Sequence, residues 1–200
     1  MCNAYDIGGQ TGSFPSALKA QAVRELEEMK SVLLIRRTDS APVLLSDGQL
    51  TRMSWGFRRP GLGVVNNSRS DKLEGPMWRE SFEKRRCLIP VAGYFEWTGP
   101  KGSKKTFRFR RSDGELFWMA GLWEESPEYG RCFSMITTEA NQMVAPIHHR
   151  MPALLETGEW ESYLDGKLGK FAPNPLSIDY EPCANPLIQN PPAGTQLDLF

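Results

Sequence analysis

Apolar positions along the chain change period several times, and each period predicts an element. After Ser16, residues Ala17, Leu18, Ala22, Leu26 and Met29 recur at helical spacing, which predicts a capped amphipathic helix over 16–30. The apolar runs VLLIRR (32–37) and PVLLS (42–46) predict strands. SDGQ (46–49) predicts a turn, and LTRMSWGF (50–57) the strand that returns from it. WGFRRPGLGVV (55–65) carries too much glycine and proline for regular structure and reads as a loop. PMWRESFEKRR (76–86) predicts a short helix and CLIPVAGYFEW (87–97) a strand. KTFRFRR (105–111) alternates with period two, SDG (112–114) turns, and ELFWMAGLW (115–123) reads as the buried return strand of a hairpin. RCFSMITT (131–138) predicts another strand, EANQMVAP a short helix or turn, and ALLETGEWESYL (153–164) a helix.

There is no internal repeat and no alternation of strand and helix. Strands joined by hairpins, with few helices, predict an α+β fold: one domain around a curved, antiparallel, barrel-like sheet with peripheral helices. From about residue 172 the chain becomes proline-rich and loses its basic groups. The predicted domain spans 2–188, and 189–200 reads as a flexible tail.

Composition narrows the class. At 200 residues, with 40% hydrophobic and 24% charged positions, the chain can bury a real core. No apolar run is long enough to span a bilayer, and no basic-then-apolar leader opens the chain, so no membrane partner is expected. The four cysteines (Cys2, Cys87, Cys132, Cys183) form no CxxC pair, which predicts a reducing compartment without disulfides or zinc. Two adjacent histidines, His148 and His149, cannot build a histidine-rich centre, so neither metal nor cofactor is expected. Net charge is zero, yet every Lys and Arg lies at or before Lys170. The first 170 residues carry 24 basic against 21 acidic groups, with clusters at 84–86 and 101–111 that a fold can gather on one face.

The candidate chemistry starts at MCNAY (1–5). Methionine is trimmed when a small residue follows it. Trimming here leaves Cys2 with a free α-amine and a thiol on one residue. That 1,2-aminothiol can form a Schiff base with an aldehyde and then close a five-membered thiazolidine ring. Its α-amine titrates near ~7.7–8.0, so a useful fraction is neutral at physiological pH. Cys87, Cys132 and Cys183 have no partner at a useful spacing and read as inert.

Four further stretches accompany Cys2: NNSRSD (66–71), with Asn67-Ser68-Arg69-Ser70-Asp71; RCLIPVAGYFEW (86–97); MITTEANQ (135–142); and PIHHRMP (146–152), with His148-His149-Arg150-Met151-Pro152. With Met1-Cys2 and Trp55-Gly56 they resemble, in order, the pattern of the SOS-response-associated peptidase (SRAP) family. The likeness runs from Cys2 to about Leu155. It departs at Asn3 and Ala4, where relatives carry Gly-Arg, and at RRTDSAP (36–42).

The resemblance implies a protein that binds abasic sites in single-stranded DNA and forms a covalent DNA–protein crosslink through Cys2. It implies that His148 assists opening of the sugar ring, Glu96 moves protons at the α-amine, and Asn67 holds the sugar or the N-terminal residue. Arg69 and Arg150 fall on positions that contact phosphates, and Trp55 on one that lies against bases. Arg58, Arg59 and the 101–105 loop are further candidate DNA contacts, since single-strand binding combines cations with aromatic platforms. Trp78, Trp97, Trp118 and Trp123 read as packing, and His149 as structural.

The chain ends Gln196-Leu197-Asp198-Leu199-Phe200 after a proline-rich stretch. This resembles the peptide by which bacterial replication and repair proteins dock on the sliding clamp, with Leu197, Leu199 and Phe200 as anchors. It implies a bacterial or phage-encoded protein of the cytoplasm, acting at replication forks, and a monomer is expected. Two other classes stay open: a cysteine peptidase using Cys2, autoproteolytic or otherwise, and a non-catalytic single-strand-binding module.

Overall fold

Strand-forming residues dominate where the chain is buried on both faces, and sheet is the main regular structure among the described residues. The computed structural model describes residues 2–8, 12–28, 32–173 and 177–188. In chain order, β1 (Ala4–Ile7) precedes helix α1 (Ala20–Glu27). Then come β2 (Leu33–Arg36), β3 (Ser40–Leu45), β4 (Leu50–Trp55), β5 (Phe57–Arg59), β6 (Gly63–Val65) and β7 (Asn67–Arg69). Helix α2 (Arg79–Lys84) leads to β8 (Arg86–Val91), β9 (Gly93–Thr98), β10 (Lys105–Arg111), β11 (Phe117–Ser126) and β12 (Gly130–Glu139). The short β13 (Arg150–Pro152) and β14 (Leu154–Leu155), helix α3 (Trp160–Leu164) and β15 (Ile178–Cys183) complete the described part.

Five strands close on themselves. β12 pairs with β4, β4 with β3, β3 with β8, β8 with β11, and β11 again with β12. A closed ring leaves those strands no free edge. β7 and β13 extend from β12, and β14 from β11. A second sheet, in the order β15-β10-β9-β1-β2, connects through the β8–β9 bend, where the Ala92 N–H donates to the Asp6 carbonyl at 2.8 Å. Every residue of β8 (RCLIPV) is buried, as expected of a strand covered on both faces. The interior is aromatic: Trp118 and Trp160 pack with ring centroids 5.9 Å apart, and Tyr94 stacks on Phe109 at 4.9 Å.

The α+β, barrel-like expectation matches this architecture, with differences in detail. Two pairings, β12–β4 and β12–β7, are parallel. The stretch 57–65 is a hairpin rather than a loop: β5 pairs with β6, and Gly61 and Gly63 take the positive φ that its tip requires. The predicted hairpin across SDG (112–114) does not form. β10 pairs with β9 and β15, while β11 pairs with β8, β12 and β14. A turn signal reverses the chain but does not select the partner, and here it hands the chain from one sheet to the other. ALLETGEWESYL is helical only at its end, because Leu154–Leu155 adds β14 to β11. β15, in the proline-rich region, pairs with β10 over Ile178–Cys183. The 189–200 tail, including Gln196–Phe200, lies outside the described residues.

Gly56 fixes the step from the barrel wall into the β5–β6 hairpin. Its φ is +126°, its N–H donates to the Phe133 carbonyl at 2.7 Å, and a Cβ there would meet Val64 Cγ1 at 2.3 Å. Gly56→Ala is expected to cost about 2–3 kcal/mol of stability, from strain and displaced packing together. A urea denaturation midpoint equal to the wild type would refute this.

Candidate active site

The site gathers at the start of β1. Cys2 is fully buried, and its Sγ donates to the Ala4 carbonyl at 3.1 Å. β1 lies between β2 and β9, with Tyr5 opposite Tyr94 and Asp6 opposite Gly93. Continuing that register puts Glu96 beside the first residues of the chain. Glu96 shares the Tyr94 face of β9, since side chains two apart point the same way. It is 1% exposed.

The strands that flank β1 explain why these residues are buried. β9 (GYFEWT) sits mid-sheet between β1 and β10, so its apolar neighbours enclose the carboxylate. Asn67 opens β7, which runs parallel to β12 with Asn67 opposite Met135. Its Nδ2 donates to the Cys2 carbonyl at 2.8 Å. The Asn67 Oδ1 is buried and has no hydrogen-bond partner among the described residues.

His148 stands in the turn before β13 and is half-buried. Its Nδ1 lies 3.0 Å from the Arg150 backbone nitrogen and 3.1 Å from the Arg150 carbonyl oxygen, so it accepts from the one or donates to the other according to the tautomer. His149 is exposed and stacks on His148 with ring centroids 4.5 Å apart.

Burial sets the protonation states. It raises the Glu96 carboxyl from its ordinary 4.5 to about 7, against the ammonium charge at the chain's N-terminus, which pulls the other way. Burial, and then the Glu96 charge, push the Cys2 thiol well above its ordinary range. Burial and then the N-terminal ammonium hold His148 below 6.5. The ammonium thus acts on both Glu96 and His148, and the Glu96 charge acts on Cys2. Near neutrality the site holds a neutral imidazole, a neutral thiol and a carboxyl poised to give or take a proton. Among the described residues, no group of three His, Cys, Asp or Glu side chains could hold a metal ion.

These features sit in a chain that matches the profile of the SOS response associated peptidase (SRAP) family over residues 1–180. The chain belongs to the SRAP family. It is 34% identical over 105 residues to an abasic site processing protein of Saccharomyces cerevisiae, covering 50% of this chain and 28% of that one. It is 30% identical over 135 residues to the abasic site processing protein YoqW of Bacillus subtilis, covering 61% and 60%. It is 23% identical over 192 residues to the abasic site processing protein HMCES of Gallus gallus, covering 81% and 54%. The chain therefore spans less than two thirds of the length of each of these relatives. Solved structures share the SRAP-type fold. A protein from Bacteroides thetaiotaomicron superposes with TM-score 0.72 at 22% identity, covering 92% of this chain and 93% of that one. One from Bordetella bronchiseptica gives 0.70 at 19%, covering 92% and 100%.

Among the nucleic-acid candidates, this SRAP chain arranges the arginines unequally. Arg69 is exposed and makes a two-point pair with Asp71 at 3.0 and 2.8 Å. Arg150 is 5% exposed, hydrogen-bonds Thr137, and lies 3.6 Å from the same Asp71 carboxylate. The two guanidinium groups thus converge on one anionic oxygen site. Arg58 lies over the Tyr129 ring at 4.5 Å. Arg59 is engaged by Glu124 through two hydrogen bonds of 2.6 and 2.7 Å.

Trp55, expected against bases, is instead fully enclosed. Its ring meets Tyr5 at 5.0 Å and Phe133 at 6.4 Å, and its Nε1 donates to the Asn66 carbonyl at 2.9 Å. Its place is behind the site, as a wall. Two residues to which the sequence reading gave no role at Cys2 also touch or reach the site. Asn66 Nδ2 donates to the Cys2 carbonyl at 3.1 Å, and the Lys104 charge acts on Glu96 from the β9–β10 loop. Next to Asn67, an asparagine reads only as a turn residue; the basic 101–105 loop was a usable signal for Lys104.

Proposed function

We propose that this protein binds abasic sites in single-stranded DNA and traps them as a thiazolidine crosslink through Cys2. The observation that carries the reading is the Cys2 environment. A cysteine at the second position has its carbonyl held by Asn67 and its neighbour Glu96 tuned to about 7. The relatives' printed name, abasic site processing protein, supports the substrate class.

The chemistry requires Met1 to be trimmed, which frees the α-amine. His148, as a neutral imidazole, passes a proton at the ring oxygen as the closed deoxyribose opens to its aldehyde. The neutral α-amine then adds to the aldehyde carbon, making a C–N bond and a carbinolamine. Glu96 in its protonated form gives a proton to the departing hydroxyl, one water leaves, and the nitrogen returns its proton to Glu96 as the imine forms. The Cys2 sulfur closes on the imine carbon, its proton goes to the nitrogen, and the ring is complete. The net change is loss of one water. A carboxyl near 7 can act as acid in one step and base in another at neutral pH. Asn67 Oδ1 is free to accept from a sugar hydroxyl. Arg69 and Arg150 would exchange Asp71 for a phosphate, and Arg58 adds a cation near the exposed Tyr129 ring.

The reading extends to the tail. Gln196–Phe200 would dock on a sliding clamp and bring the protein to replication forks in a bacterial or phage-infected cytoplasm, where single-stranded abasic sites arise.

The test is a single-stranded oligonucleotide with one abasic site, incubated with protein lacking Met1 and run on a denaturing gel without borohydride. A heat-stable shifted band is expected, absent for Cys2→Ala, Cys2→Ser and the intact oligonucleotide. A band that needs reduction would limit the chemistry to a Schiff base. No band in either condition would overturn the proposal and favour the peptidase or simple binding alternatives.

A further inference from the structure

We infer that Asn66 is a positioning residue for Cys2, working with Asn67 as a two-pronged amide clamp on the Cys2 carbonyl. The inference deepens the crosslinking reading and rests on it. A carbonyl oxygen has two lone pairs, and here both meet a side-chain amide. Asn67 Nδ2 donates at 2.8 Å and Asn66 Nδ2 at 3.1 Å. Asn66 Nδ2 also lies 3.4 Å from the Asn3 Oδ1, so it grips the residue after Cys2 as well. Asn3 is one of the positions where this chain departs from its family's pattern, and its side chain supplies that second grip.

The clamp is held rigidly. The Asn66 carbonyl accepts from Trp55 Nε1 at 2.9 Å and from the Met135 N–H at 3.0 Å. Both asparagines are 7% exposed, and Trp55 is 0% exposed. The Asn66 backbone is therefore pinned to the barrel, and the Cys2 carbonyl cannot rotate without losing both donors. Fixing that carbonyl fixes the Cys2–Asn3 peptide plane and the α-carbon's place in it, and the Sγ–Ala4 hydrogen bond at 3.1 Å then orients the sulfur. Such positioning is where intramolecular ring closure gains its rate.

The same donors have an electrostatic effect. Their N–H dipoles place positive ends next to the α-carbon, which disfavours an ammonium there. The amine is then neutral over more of the physiological range. Other groups face the same place: Glu96 and Tyr94 on β9, Tyr5 on β1, and His148 before β13. Lys104 acts on Glu96. Glu96 favours an ammonium when ionised, so the two asparagines and Glu96 pull the amine in opposite directions.

The test uses the full chain lacking Met1, in wild-type, Asn66→Ala and Asn66→Asp forms. Asn66→Asp keeps the shape but replaces the donor by an acceptor. The first readout is the pH dependence of formaldehyde capture by the N-terminal residue, followed by intact mass, which involves no DNA. The second is the rate of adduct formation with the abasic oligonucleotide. The expected result is an upward move of the amine's apparent pKa by about half a unit or more in both variants. Adduct formation at pH 7 should also slow about tenfold. Thermal melting run on the same samples identifies any variant that does not fold, and the other variant then decides. Folded variants that titrate like wild type and react at its rate would overturn the inference. If wild type makes no DNA adduct while the formaldehyde profile still shifts, the clamp stands and the crosslinking reading falls.

Discussion

Glu96→Gln is expected to slow adduct formation by about 100-fold at neutral pH and, in the same protein, to raise stability at pH 8. Both effects follow from one buried carboxyl. Glu96 is 1% exposed, and burial holds it at about 7 instead of 4.5. Glutamine keeps the shape but cannot carry a proton between steps. The stability effect has a definite sign. With its folded pKa above its unfolded one, the folded protein binds more protons than the unfolded chain between about 4.5 and 7. Stability is therefore full below the lower value and falls as pH rises through the higher. Above pH 7 the ionised group costs up to about 3 kcal/mol. Urea denaturation at pH 5 and pH 8 measures this. Wild type should lose stability between the two, and Glu96→Gln should lose much less. Equal pH dependence in the two proteins would show that Glu96 is not the titrating group.

Arg108→Ala should destabilise the protein by about 3 kcal/mol or more. Arg108, on β10, makes a two-point ion pair with Asp6 on β1 at 2.7 and 2.9 Å, across the intervening β9. Asp6 is 4% exposed, so removing the arginine strands a carboxylate inside the sheet. The guanidinium reaches over β9 at Gly93, where a Cβ would come within 2.8 Å of it. Gly93 is thus required by a close approach, not by its backbone conformation. Asp6→Ala together with Arg108→Ala should cost less than Arg108→Ala alone, because no buried charge is left unpaired. A chemical denaturation series of the three variants decides this. A double variant less stable than Arg108→Ala would show that the pair contributes by direct attraction more than by relieving buried charge.

The sequence carries the strand bounds wherever side chains alternate cleanly. KTFRFRR maps onto β10 residue for residue. Pairing is not legible in the same way, because it depends on residues far along the chain. β10 is flanked by β9 and β15, not by the strand after its own turn. The 153–155 run illustrates a second limit. Its leucines fit a helix, but they pair with Trp118 and Met119 near the start of β11 and become β14.

The structure brings together Cys2, Asn67, Glu96 and His148, each of which lies in a patterned stretch of the sequence. Trp55 is misread because its position before a glycine says nothing about which way the ring turns. Asn66 is missed because its role exists only when β7 is brought to the first residues by β12. The Arg108–Asp6 pair is missed for the same reason: its partners are 102 positions apart.

The place of β1 in the sheet also has a consequence for the order of events during synthesis. Tyr5 pairs with Tyr94, so the strand that encloses Cys2 is made about ninety residues after it. At ribosomal rates of about 5–20 residues per second, that gap lasts on the order of 5–20 s. Once clear of the ribosome, the Cys2 thiol has no strand to bury it until β9 follows. The burial of Cys2 is therefore acquired late, and a slow ribosome lengthens the exposure.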